Sequence, residues 1–136
     1  MIVTVVLLVA LADIGAVKSE ADPNRRSELA LANADEKFDD ARTADRDGNE
    51  KVETAAIDEM LESAELCYAS LEQAPGEPRK NRAYKRAELR VSTLIRRMRD
   101  FRDQASPEFR QRIEAALAKL SDIHDKLLSD IMSKKK

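Results

Sequence analysis

Residues 106–132 read SPEFRQRIEAALAKLSDIHDKLLSDIM, and their pattern decides the fold. Phe109, Ile113, Leu117, Leu120, Ile123, Leu127, Leu128 and Ile131 recur at helical spacings of three and four, which places them on one face of an α-helix. Ser106 followed by Pro107 marks the start of that helix. The hydroxyl suits an N-cap, and proline suits the first helical position because no N–H is needed there. One amphipathic helix cannot cover its own apolar face, so the rest of the core must come from upstream.

Between residue 17 and this helix, glycine and proline occur only at Pro23, Gly48 and the cluster Pro75-Gly76-Glu77-Pro78. These breakers delimit three more long segments with clean interiors. The first, over residues 24–44, carries a thin stripe of Leu31, Ala34, Phe38 and Ala41. The second opens at a capping box, Asp47 with Glu50 three residues later, and continues through Ile57, Met60, Leu61, Ala64, Cys67, Tyr68 and Leu71. Asn81 caps the third, whose stripe is Tyr84, Ala87, Val91, Leu94, Ile95, Met98, Phe101 and Ala105. Segments of about 25 residues make helices of about 37 Å, and short connections set neighbours antiparallel. The expected fold is all-α: an antiparallel up-and-down bundle of four helices over residues 24–133, or of three if the first helix frays.

A different pattern precedes the bundle. Residues 2–12 are apolar except for Thr4, too short a run to cross a bilayer, which takes about 20 apolar residues. An apolar run that ends near small residues and gives way to a charged chain matches a secretory signal peptide. Residues 1–16 are therefore expected to be removed, with cleavage after Ala12 or after Ala16, leaving an exported, periplasmic or secreted protein without a transmembrane helix. No Lys or Arg precedes the run, so the amino terminus, or a start further upstream, supplies the positive charge such signals carry. About 120 residues remain, enough for one core and too few for two ordinary domains. With no Trp, three Phe and two Tyr, that core is built from Leu, Ile, Val, Met and Ala, a vocabulary that favours helices. Cys67 is the one cysteine, so no disulfide can form within the chain, and a buried, inert thiol is expected.

Charge is distributed unevenly. Residues 20–77 hold seventeen Asp/Glu against six Lys/Arg, whereas residues 79–102 hold ten Lys/Arg against two Asp/Glu. A basic helix among acidic neighbours can be neutralised inside the fold. Arg86, Arg90 and Arg97 form one row beside the apolar stripe, and Lys85 and Arg96 lie on the other flank, within reach of an adjacent helix. Asp58, Glu62 and Glu65 project opposite the stripe of the second helix, which makes them poor partners for either flank. Arg86, Arg90 and Arg97 are therefore the candidate residues for binding an anionic partner, whether an acidic protein, a phosphate-bearing polymer or a lipid headgroup. The net charge of −2, the export signal and the absence of aromatics interleaved with the basic residues weigh against nucleic acid.

Three other features invite a chemical reading. Asp45-Arg46-Asp47-Gly48-Asn49 resembles the opening of an EF-hand or dockerin calcium loop, but Glu50 stands where the turn glycine belongs and Ala56 where a bidentate carboxylate belongs. It is read as a polar turn that starts a helix. His124 is the only histidine and sits beside Ile123; one histidine late in the last helix is similar to the soluble b-type bundle cytochromes, where it ligates haem. Those proteins carry a methionine in the first helix, whereas Met60, Met98 and Met132 all lie later here. Ala64-x-x-x-Tyr68 followed by Pro75 resembles the second helix of a tetratricopeptide unit, without the aromatic and glycine positions of its first. With one His, one Cys and no Gly-rich loop, neither a nucleophile–base pair nor a zinc site can be assembled. No enzyme, catalytic residue, cofactor or metal ligand is expected.

Tyr84-Lys85-Arg86-Ala87-Glu88-Leu89-Arg90, Leu94-Ile95-Arg96-Arg97, and Ile123-His124-Asp125-Lys126-Leu127-Leu128 with its lysine tail resemble small exported helical proteins of bacteria that carry no assigned activity. The resemblance covers the second half and residues 64–71. It implies an all-α exported protein and assigns no site. The sequence thus leads to an exported interaction protein that binds a protein or anionic envelope partner, or self-associates as a homo-oligomer. The alternative is a carrier holding haem or a metal within the bundle.

Overall fold

Every long segment between the sequence breakers is a helix, and no strand occurs among the described residues, which in this computed structural model are 13–133. The apolar run at 2–12 and the lysine tail at 134–136 lie outside them. A short helix α1 (Ile14–Lys18) is followed by α2 (Pro23–Asp47), α3 (Glu50–Gln73), a 3-10 turn at Pro78–Lys80, α4 (Arg82–Gln104) and α5 (Pro107–Met132). No helix among the described residues is long and apolar enough to cross a membrane.

The helix ends follow capping chemistry, with two corrections to the sequence reading. Helix α2 does not stop near residue 44 but runs through Asp47, so Asp45, Arg46 and Asp47 of the segment that resembles a calcium loop belong to its last turn. Gly48 then takes a left-handed conformation (φ 72°), which a side chain would resist, and its amide reaches back to the carbonyls of Ala44 and Asp45. The N-cap of α3 is Asn49, not Asp47: its side chain accepts from the Val52 amide at 3.2 Å. Asn81 does cap α4, accepting from the Ala83 amide at 2.9 Å. Ser106 occupies the N-cap of α5, yet its hydroxyl makes no cap bond and donates instead to Asp45 Oδ1 at 3.2 Å.

Helix α2 lies along α3 and α4 along α5; α3 meets α5 and α2 meets α4. Helices α3 and α4, consecutive in the chain, touch only slightly, because residues 74–81 carry the chain across one end. The thin stripe of α2 is explained by its neighbour. Ala30, Ala34 and Ala41 on α2 and Ser63, Ala64 and Ser70 on α3 are all buried, so two backbones approach closely over small side chains. Asn33 is buried there and donates to Ser63 Oγ at 2.8 Å and Glu59 Oε2 at 3.1 Å.

The larger side chains fill the centre. Phe38, Ile57, Met60, Leu71, Val91, Leu94, Met98, Phe109, Ile113, Leu120 and Leu127 are fully buried, and the Phe38 and Phe101 rings meet edge to face at 5.8 Å. Leu128, at the edge of the α5 stripe, stays exposed. Polar ties close both ends. Near one end Tyr68 and Tyr84 both donate to Asp130 Oδ2, at 2.8 and 3.1 Å, joining α3, α4 and α5. Helix α1 packs Val17 onto the core, is capped by the Asp13 side chain, and pairs Lys18 with Glu62 of α3 at 2.9 Å.

Candidate functional site

Helix α4 is where charge and geometry combine, and its two flanks are treated differently by the fold. On one flank, α2 presents carboxylates in register with the arginine row. Arg86 pairs with Glu28, Arg90 with Asp35 at 2.9 Å, and Arg97 with Asp39 at 3.0 Å. Arg97 also stacks over the Phe38 ring, its Cζ 4.7 Å from the centroid. The three arginine side chains remain 52, 34 and 36% exposed, so each bridge is partly wet and contributes little, about 0.2–1 kcal/mol. The acids reaching the row come from α2, while Asp58 and Glu65 of α3 are exposed and Glu62 turns to Lys18.

The opposite flank of α4 faces α5 and is not neutralised. The side chains of Lys85, Arg96 and Arg99 make no ion pair, hydrogen bond or ring contact among the described residues. Arg96 and Arg99 line a groove of about 320 Å³ between the two helices, together with Ser92, Ile95, Ser121, His124 and Asp125. His124 is held beside it, its Nε2 2.7 Å from Glu88 Oε2 and its Nδ1 3.7 Å from Asp125 Oδ1. The sequence placed Lys85 and Arg96 on this flank but left Arg99, Ser92 and Ser121 unremarked. Their i, i+4, i+7 spacing (Ser92, Arg96, Arg99) was the available signal.

The remaining chemistry-bearing residues are placed apart from one another. Met60 and Met98 are fully buried in the core and Met132 is exposed, whereas His124 sits between α4 and α5 with its ring against Glu88. Asp45 and Asp47 fall two residues apart on α2, where side chains diverge. No group of three or more His, Cys, Asp or Glu side chains suited to a metal ion occurs among the described residues. Cys67 is fully buried, and burial pushes its thiol up to about 12, against a smaller opposing pull from Arg90.

A buried acid emerges at the α2–α3 turn. Glu53 is 2% exposed, and its carboxyl is raised from 4.5 to about 8 by burial first, then by its hydrogen bond to Asp45 and the charges of Asp45 and Glu50. Asp45 also accepts from the Ser106 hydroxyl, so one carboxylate ties the α2–α3 turn to the start of α5. Comparison with protein-family models, with curated proteins and with solved structures finds no match to this chain.

Proposed function

We propose that this chain is an exported, non-catalytic helical protein that works by binding a protein or anionic envelope partner or by associating with itself. The observation that carries the reading is the cationic surface of α4, whose α5-facing flank keeps Lys85, Arg96 and Arg99 without a carboxylate partner among the described residues. The row Arg86, Arg90 and Arg97 adds half-exposed guanidinium groups on the other side. A guanidinium carries five N–H donors, so one bridge to α2 leaves donors for a second anion. Such a surface attracts negative charge over roughly 8 Å at physiological ionic strength and loses that pull as salt rises.

The arrangement we infer is a bundle whose four long helices alternate in direction. Contacts between early α2 and late α3 support it, as Arg26 with Ser70 at 2.8 Å and Asn33 with Ser63 show. Export is supported by the apolar run at 2–12 and the small residues that follow. Cleavage after Ala16 would cut inside α1, whereas cleavage after Ala12 leaves Asp13 to cap it.

Two measurements test this. Mass spectrometry of the protein from its native host should find an N-terminus at Asp13; an intact Met1 in a cytoplasmic fraction would end the secretory reading. An absorption spectrum of the protein as isolated should be featureless in the visible, and a Soret band would replace the interaction role with haem carriage.

A further inference from the structure

The groove between α4 and α5 has the composition of an anion site. Ser92, Arg96 and Arg99 occupy one row of α4, and Ser121 and His124 stand across from them on α5. The buried side chain of Ile95 forms the apolar part of its lining. Neither arginine has a carboxylate partner among the described residues, although Asp125 lines the same groove with its side chain 80% exposed. Glu88, the other acid nearby, is engaged by His124 at 2.7 Å. The groove therefore presents two planar guanidinium forks and two hydroxyls with one exposed acid at the rim.

We propose that this groove binds a phosphate group, through Arg96 and Arg99 with Ser92 and Ser121. The donors decide the class of anion. Each guanidinium can engage two oxygens in parallel, and the hydroxyls add two more donors; a carboxylate offers two oxygens, whereas a phosphate offers three or four that together accept from the whole set. The volume of about 320 Å³ admits a phosphate with part of the molecule that carries it. Asp125 opposes binding by like charge, so its removal should tighten the site. The proposal rests on the interaction role above and deepens it by naming the anion and placing its site within the α5-facing flank.

The test uses the full chain and two probes. Inorganic phosphate is titrated while amide resonances are followed by NMR, and the protein is floated with vesicles of equal parts phosphatidylcholine and phosphatidic acid, or of phosphatidylcholine alone. Phosphate should shift Ser92, Arg96, Arg99 and Ser121; Arg96→Gln with Arg99→Gln should weaken binding about tenfold or more, and Asp125→Asn should strengthen it. Retention on the acidic vesicles with the same order of variants assigns the site to a lipid headgroup, and binding of phosphate without vesicle retention assigns it to a free phosphate; both support the proposal. Binding of neither probe, a double variant that binds like the wild type, or weaker binding by Asp125→Asn overturns it. If native envelope fractions still retain the protein in that case, the groove is wrong and the interaction role stands.

Discussion

Leu120 shows how little of a side chain's role depends on its own chemistry and how much on its neighbours. It sits mid-stripe on α5 and is fully buried. Leu120→Ala should cost about 2–5 kcal/mol, as buried leucine truncations do, measured by chemical denaturation; a loss under about 0.5 kcal/mol, the range of surface substitutions, would place it on the wrong face. Glu53 gives a second residue-scale expectation, with a definite sign. Its folded-state carboxyl titrates near 8 rather than 4.5, with burial the largest cause, so the native state holds a proton that the unfolded state releases between those values. Stability from this site is present below about pH 4.5 and is lost as pH rises through about 8. Glu53→Gln, whose amide can still donate to Asp45, should flatten that fall and be more stable than wild type at pH 9 relative to pH 5. A fall of equal steepness in the variant would assign it to other groups.

At the scale of elements, the clearest sequence signals came from large side chains and breakers. The α5 stripe from Phe109 to Leu127 is buried, and Asn81 caps α4. The end of α2 was illegible because a helix whose buried face is mostly alanine gives no strong period, and the Asp47–Glu50 spacing imitates a capping box two residues before the true cap at Asn49. The arginine row could be located but not its partners, since register between α2 and α4 is set by packing rather than by either helix alone. Replacing Arg86, Arg90 and Arg97 together by Gln removes three partly exposed bridges and the Arg97–Phe38 stack. The variant should lose about 1–3 kcal/mol and melt a few degrees lower, with the difference shrinking as salt is added. A salt-independent loss would mean that packing of the side-chain stems, not charge, holds α2 to α4.

Across the whole molecule, the acidic half and the basic helix do not cancel. The α2 carboxylates answer one flank of α4, and the α5-facing flank retains Lys85, Arg96 and Arg99 without ionic partners among the described residues. Composition made that imbalance visible, but which flank keeps it follows only from the order of helices around the core, with α4 between α2 and α5. The anionic partner we propose is therefore directed to this flank and not to the arginine row, whose members are each paired with a carboxylate of α2. The most direct measurement is co-sedimentation of the purified protein with envelope membranes from its native host at low and raised salt. Retention at low salt that falls progressively as salt rises, and that weakens when Arg96 and Arg99 become Gln, is the result this account predicts; no retention at any salt, or retention indifferent to both salt and those arginines, would contradict it.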